Sequence, residues 1–160
     1  MKTDLIVILG CTATGKTSLA THFAAINNGE VLSADSRQVY KGMDVGTGKD
    51  LSEFIINGKE VPYHLIDIKE AGEEYNVYEF QKDFLMAYKA VKSRNNLPVL
   101  CGGTGLYLEA VLKGYRFVKV PENDKLRKEL EHKTTEELVA ILSKYKDLHN
   151  TTDTIPVSYT

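Results

Sequence analysis

Cysteine and long apolar runs are both scarce in this 160-residue sequence, and their scarcity excludes several classes of protein. The two cysteines, Cys11 and Cys101, have no CxxC spacing and are too few for a structural zinc site or a disulfide framework. No apolar run approaches the roughly 18 residues of a membrane helix, and the run at residues 5–9 is too short for a signal-peptide core. We therefore expect a cytoplasmic protein that begins at its native N-terminus and has no membrane segment.

Arginine is scarce as well, and the charge is balanced. The 20 Lys and Arg residues face 22 Asp and Glu residues, for a formal net charge of −2 and an isoelectric point near 6.1. Only four of the cations are arginines, so bidentate phosphate contacts are few. This balance lacks the electrostatic footprint of a nucleic-acid-binding protein, and a polyanion must therefore bind a local patch.

The order of apolar patterns predicts an α/β fold of three layers with a mostly parallel sheet. Residues 5–9 form a continuous apolar run, typical of a strand buried on both faces, and we expect it to be the central strand. The Gly-rich segment 41–62 is predicted as a loop with one short helix near 51–56. Further strands are predicted at 31–34, 63–68 and 97–101, and helices after Gly15, over 77–91 and over 106–112.

The last part of the chain has a different character. Charged helical patterns follow residue 124, and Thr134 and Glu137 match a capping box at the start of the second helix. We predict a small helical hairpin outside the sheet. The expected organisation is a core over 1–117, a helical insertion over 118–147 and a tail over 148–160.

A phosphate-binding motif lies between the first strand and the first helix. Residues 10–17, GCTATGKT, fit G-x-x-x-x-G-K-[ST] in the strand-to-helix context that this motif requires. Glycines let backbone N–H groups point inward, the helix N-terminus adds a positive dipole end, and the Thr17 hydroxyl is a candidate Mg²⁺ ligand. The motif predicts a P-loop NTPase-like fold that binds a di- or triphosphate, against the alternative of a glycine-rich turn with a chance lysine. The predicted phosphate-binding residues are Gly10, Thr12, Ala13, Thr14, Gly15, Lys16 and Thr17.

Two further segments follow predicted strands, and ligands bind at the carboxyl ends of parallel strands. Asp35 follows the second strand, where its carboxylate is positioned to hold Mg²⁺ or accept a proton; the alternative is a helix cap or turn former. Residues 102–105 follow a later strand and bring the Thr104 hydroxyl toward the same crevice; a plain flexible turn is the alternative.

Four ordered blocks together resemble the tRNA dimethylallyltransferase family. They are GCTATGKT at 10–17, SADSRQVYKGMDVGT at 33–47, HLID at 64–67 and GGTGLYL at 102–108, and the likeness covers most of residues 4–113. The resemblance implies a P-loop-containing catalytic core that transfers a dimethylallyl group from its diphosphate to N6 of an adenine next to the anticodon of tRNA. It also implies a Mg²⁺ cofactor, a cytoplasmic monomer, and a phosphate loop that takes the diphosphate instead of ATP.

The resemblance further assigns roles to residues. Asp35 matches the family's catalytic base, which a weakly nucleophilic exocyclic amine needs. Thr104 is expected to add a hydrogen bond to the diphosphate, so both residues are predicted to be catalytic. Contacts to the tRNA are implied for Asp35, Ser36, Arg37 and Gln38, and metal binding for Thr17.

The sequence departs from the family pattern at two places. Cys11 stands where the family usually has Pro, a change that restores one N–H donor to the loop. Residues 155–160 carry no cation where an arginine-rich stretch is expected, and the helical insertion is short, so we expect a truncated chain of doubtful activity. Two alternatives remain open at this point: a P-loop small-molecule kinase and an inactive fragment of the transferase.

Overall fold

The structure is a computed structural model, and it describes residues 4–118 and 121–145. These residues fall into two compact units that divide after Val118. The predicted tail at 148–160 and the last two residues of the predicted insertion lie outside the described residues.

The first unit alternates strands and helices, and the second contains helices. The strands are β1 (Ile6–Leu9), β2 (Gly29–Ser33), β3 (Ile55–Ile56), β4 (Lys59–Glu60), β5 (Tyr63–His64) and β6 (Leu97–Gly102). The helices are α1 (Lys16–Ile26), α2 (Val77–Ser93), α3 (Gly105–Leu112), α4 (Asp124–Leu130) and α5 (Thr135–Leu142), with a 3₁₀ turn at Leu51–Phe54.

Four strands form a parallel sheet in the order β1-β6-β2-β5. The predicted fold class, α/β with a mostly parallel sheet, is confirmed. The predicted position of the first strand is wrong: among the described residues β1 lies at the edge and pairs only with β6. The buried interior of the sheet is β2 and β6, whereas β1 is only half-buried and Leu9 is 64% exposed. An apolar run is typical of strands buried on both faces, but the run at 5–9 determined neither the burial of β1 nor its place in the order of strands.

Helices cover both faces of the sheet, which gives the three layers that the sequence predicts. Since side chains alternate along a strand, Val31 and Val99 contribute to a core shared with α1, while Leu32 and Leu100 contribute to a core shared with α2 and α3. The predicted helix over 77–91 is confirmed as α2. It begins where the Asn76 side chain accepts hydrogen bonds from two backbone N–H groups.

The segment between β2 and α2 differs most from the prediction. The predicted strand over 63–68 ends at His64, because Leu65 and Asp67 have φ of 67° and 54°, outside the extended region. The predicted loop at 41–62 contains a hairpin of β3 and β4 whose turn, Asn57 and Gly58, has φ of 52° and 74°. Positive φ at both central residues is the signature of an Asn-Gly hairpin turn.

The second unit contains α4 and α5. The predicted capping box is present, because the Thr134 hydroxyl accepts from the Glu137 N–H at 3.3 Å and the Glu137 carboxylate accepts from the Thr134 N–H at 2.9 Å. Over the described ranges, no helix has both the length and the apolar character needed to cross a bilayer.

Candidate active site

The candidate site is a cleft at the carboxyl edge of the sheet. The ends of β1, β2 and β6 meet there because neighbouring parallel strands finish at the same edge. Residues 12–17 line this cleft together with Asp35, Gly102 and Gly103. The cavity volume is about 170 Å³, roughly ten times the space that one water needs, so the cleft has room for a polyatomic ligand.

The phosphate loop is tightly curled. Ala13 and Gly15 have φ of 61° and 75°, and the Thr14 hydroxyl donates to the Cys11 carbonyl at 2.8 Å. The Lys16 ammonium donates to the same carbonyl and is thereby held over the loop. Helix α1 begins at Lys16, so its positive dipole end faces the cleft. Six of the seven predicted phosphate-binding residues line the cleft, whereas Gly10 does not.

Asp35 lines the cleft and also forms a turn. Its Oδ1 accepts a hydrogen bond from the Arg37 N–H at 3.0 Å and lies 3.6 Å from the Arg37 guanidinium Nε. The side chain keeps 20% of its surface exposed. The turn-forming role and the cleft position, posed above as alternatives, thus hold together for the same carboxylate, which leaves its second oxygen available to a ligand.

The other predicted residues divide between the cleft and its support. Gln38 lines the cleft, but Ser36, Arg37 and Thr104 do not. The Thr104 hydroxyl accepts the Ser36 N–H at 3.0 Å, and the Thr104 N–H donates to the Ala34 carbonyl at 3.1 Å. In this structure Thr104 therefore anchors the segment that carries Asp35.

Part of the cleft lining was missed by the sequence reasoning. Thr47, Gly48, Glu53 and Phe54 line the cleft from the segment that was predicted as loop. The density of glycine around Thr47, at the end of the second motif block, is the only signal in the sequence that could have pointed to them.

The thiol that lines the cleft is neutral near pH 7. Burial raises the pKa of Cys101 to about 11; the Lys16 charge opposes this shift, while the carboxylates of Glu53 and Asp35 add to it. A neutral thiol is a poor nucleophile and a poor metal ligand, so the acid–base capacity of the cleft lies in its carboxylates.

The cleft offers oxygen donors suited to Mg²⁺. Over 4–118 and 121–145, no group of three or more His, Cys, Asp and Glu side chains could enclose a metal. Mg²⁺ does not need such a cage, since it commonly uses one or two protein oxygens together with phosphate oxygens and waters. The Thr17 hydroxyl and the Asp35 carboxylate both line the cleft and fit this role.

Sequence comparisons identify relatives over almost the whole chain. A family model described as "IPP transferase" matches residues 38–154, and one described as "Isopentenyl transferase" matches residues 3–61. The tRNA dimethylallyltransferase 2 of Bacteroides fragilis is 63% identical over 150 residues, which are 94% of this chain and 49% of that protein. The tRNA dimethylallyltransferase 1 of Parabacteroides distasonis is 58% identical over 150 residues, which are again 94% of this chain and 49% of that protein.

Solved structures agree. The tRNA isopentenylpyrophosphate transferase of Bacillus halodurans is similar with a TM-score of 0.68 and 38% identity, over 89% of this chain and 48% of that one. A eukaryotic dimethylallyltransferase acting on tRNA has a TM-score of 0.72 and 29% identity, over 88% of this chain and 35% of that one. The chain spans about half the length of the curated relatives it matches. On the combined evidence of the cleft, the motif blocks and these matches, the chain belongs to the IPP transferase family.

Proposed function

We propose that this chain forms the diphosphate-binding and proton-accepting part of a tRNA dimethylallyltransferase. The reaction transfers a dimethylallyl group from its diphosphate to N6 of the adenine next to the anticodon. The observation that carries the proposal is the presence of the phosphate loop and the Asp35 carboxylate in one cleft. An anion cradle and a carboxylate base are the two groups that this transfer requires from the protein.

The leaving group is the first requirement. The allylic C–O bond breaks as negative charge grows on the diphosphate, so donors aimed at that charge lower the barrier. Residues 12–17 line the cleft, and they contribute the N–H groups of the curled loop, the first residues of α1 and the Lys16 side chain. The Thr17 hydroxyl would hold Mg²⁺ together with the diphosphate, and the ion would supply further neutralisation of the leaving group.

The acceptor is the second requirement. The exocyclic amine of adenine is a weak nucleophile because its lone pair is delocalised into the ring. As its nitrogen bonds to the allylic carbon, one N–H proton must leave, and the Asp35 carboxylate accepts it. The balance is complete: one C–N bond forms, one C–O bond breaks, diphosphate departs and the proton rests on Asp35.

The adenine must leave its stack to reach a cleft at the strand ends. Unstacking costs a few kcal/mol, and contacts to the flipped base offset that cost. Asp35 and Gln38 both line the cleft. Ser36 and Arg37 lie between these two residues in the sequence. These residues are our proposed contacts to the tRNA, with Asp35 serving both binding and catalysis.

Calorimetry with dimethylallyl diphosphate and Mg²⁺ tests the first half of the proposal. We expect saturable binding that inorganic diphosphate competes away. Tight binding of ATP together with no binding of dimethylallyl diphosphate would overturn the proposal in favour of a P-loop kinase.

Transfer to an anticodon stem-loop RNA tests the second half. We expect Asp35→Asn to bind the diphosphate as the unchanged chain does but to lower the transfer rate by about 10² to 10⁴, the usual contribution of a general base. Equal transfer rates would remove Asp35 from catalysis. Diphosphate binding without any transfer by the unchanged chain would make it a binding unit of the transferase.

Two expectations from the sequence remain proposals, a cytoplasmic location and a monomeric state. Light scattering after size-exclusion chromatography tests the second, and a mass near 17.9 kDa is the expected result.

A further inference from the structure

The side chain of Lys49 is buried although it carries a charge. It is 1% exposed, and its ammonium donates to the Tyr40 carbonyl at 2.8 Å, to the Asp44 carboxylate at 2.8 Å and to the Asp67 carboxylate. Burying an ammonium is costly unless its protons are all paired, and here each of the three N–H groups has an acceptor. Lys49 itself does not line the cleft, but Gly48, the residue before it, does.

These contacts close the base of a loop, residues 42–48. Tyr40 and Lys49 flank the loop, and the Lys49 contact to Tyr40 holds the two ends together. Gly42, Gly46 and Gly48 all have φ near +70° to +80°, so the loop path depends on residues with few steric limits of their own. Inside the loop the Thr47 hydroxyl donates to the Met43 carbonyl at 2.7 Å, and the Lys49 contacts tie the loop to Tyr40 and Asp67 outside it.

The held loop in turn positions Gln38. Its Nε2 donates to the Gly48 carbonyl at 3.2 Å, and its Oε1 accepts from the Ser33 hydroxyl at 3.2 Å. A backbone carbonyl is only an acceptor, so it dictates which end of the Gln38 amide carries the N–H groups. One N–H and one oxygen lone pair remain for the cleft that Gln38 lines.

The free N–H and the free oxygen lone pair of the Gln38 amide match one edge of adenine, which presents an acceptor beside a donor. Gln pairs with adenine by accepting from N6–H and donating to a ring nitrogen, while guanine presents an acceptor at the equivalent exocyclic position. The second N6–H remains free for Asp35. The amide orientation, and with it the choice of base, thus depends on where Gly48 lies.

We propose that Lys49 is a positioning residue, which holds the 42–48 loop so that the Gly48 carbonyl orients Gln38 for adenine. The inference rests on the proposed function, because it concerns the acceptor side of the same cleft. It places no demand on diphosphate binding, since the contacts of Lys49, Gly48 and Gln38 given above involve none of residues 12–17.

The test compares Lys49→Met with Lys41→Met. Lys41 pairs with Glu70 at the surface and makes no contact with Lys49 or the loop carbonyls given above. Amide hydrogen exchange should speed up about tenfold or more at 42–48 in Lys49→Met and remain unchanged in α1 and β6, since local opening differs from global unfolding. In Lys41→Met the exchange rates of all these segments should equal those of the unchanged chain.

Two affinities complete the test. Calorimetry with dimethylallyl diphosphate and Mg²⁺ should give the same Kd for all three proteins. The preference for a stem-loop with adenine over guanine beside the anticodon should be about tenfold or more in the unchanged chain and in Lys41→Met, and should approach one in Lys49→Met. A purely structural role would alter exchange everywhere without selectively removing this preference.

Each contrary result has its own meaning. Unchanged exchange at 42–48, or faster exchange with an unchanged adenine preference, would overturn the Lys49 inference. If Lys49→Met does not fold, Asp67→Asn takes its place with the same expected pattern, and failure of both to fold would assign Lys49 to stability alone. An unchanged chain that binds neither ligand would overturn the proposed function, while the exchange measurement would still decide whether Lys49 holds the loop.

Discussion

The backbone N–H of Ser36 donates to the Thr104 hydroxyl oxygen at 3.0 Å, across 68 residues of sequence. This bond joins the segment after β2 to the second residue after the end of β6. Asp35 lies beside Ser36 in this segment, so a hydroxyl that does not itself line the cleft helps to set the position of the carboxylate that does.

Replacement of Thr104 tests this bond. Thr104→Val keeps the shape of the side chain but leaves the half-buried Ser36 N–H without its acceptor, so we expect a loss of about 1–2 kcal/mol in the free energy of unfolding. Thr104→Ser keeps the oxygen and should cost less. Urea unfolding followed by circular dichroism measures both, and equal stability of the two variants would contradict the role of the hydroxyl.

Gly102 should tolerate no side chain. A Cβ at this position would lie 2.3 Å from the Ala34 carbonyl oxygen and 2.8 Å from the Ala34 Cα, both backbone atoms of the neighbouring segment. We expect Gly102→Ala to cost about 3 kcal/mol or more in the free energy of unfolding, because β6 must shift away from the end of β2.

Gly103→Ala is the matched control for that measurement. The nearest atom to its Cβ would be the Gly10 carbonyl oxygen at 3.3 Å, a contact that a small shift relieves. Its expected cost is about 1 kcal/mol or less. Similar unfolding midpoints for the two variants would show that the close approach of Gly102 to Ala34 does not restrict position 102 to glycine.

Lys16 should determine affinity for the diphosphate. Lys16→Met removes one cation from the anion cradle and leaves the loop N–H groups in place, so we expect the Kd for inorganic diphosphate with Mg²⁺ to rise about tenfold or more. Lys113→Met is the control, since Lys113 pairs with Glu109 on the surface of α3. Calorimetry gives both constants, and a Lys16→Met value equal to that of the control would exclude Lys16 from the site.

Glu30 should make stability depend on acid pH. Hydrogen bonds from Arg94, and then from His64 and Asn96, outweigh burial and lower the pKa of this carboxylate from 4.5 to about 2. A lowered pKa in the folded state gives stability that is present above about pH 4.5 and is lost as the pH falls toward 2. The side chain is 2% exposed, so the bonds are poorly replaced by water.

Glu30→Gln tests this dependence. At pH 7 we expect the variant to lose about 2 kcal/mol in the free energy of unfolding, because an uncharged amide turns one N–H group toward donors. The difference from the unchanged chain should shrink as the pH falls from 4.5 toward 2. Urea titrations at several pH values measure it, and a constant difference across that window would refute the assignment of the acid dependence to Glu30.

Features that depend on residues close together in the sequence were predicted better than features that depend on distant ones. Local signals were reliable: the capping box of Thr134 and Glu137 and the apolar spacing of α2 both appear as predicted. The hairpin of β3 and β4 was missed although Asn57-Gly58 is a strong local turn signal, because the surrounding glycines masked the two short strands.

Nonlocal features were harder to predict. The position of β1 at the sheet edge depends on which strands pair with it, and a strand's own residues do not encode its neighbours. The early end of β5 has the same origin, since Ile68 and Lys69 bond instead to Val39 in the loop after β2. Competition between partners distant in sequence decided both features.

The sequence by itself determined the α/β class, the anion cradle at 10–17 and the resemblance to the transferase family. Each of these depends on short motifs whose chemistry is complete within a few residues. Only the tertiary structure decided that Thr104 supports Asp35, that Thr47 and Glu53 line the cleft, and that Lys49 closes the 42–48 loop. Those contacts join residues on separate segments, and they exist only once the sheet brings the segment ends together.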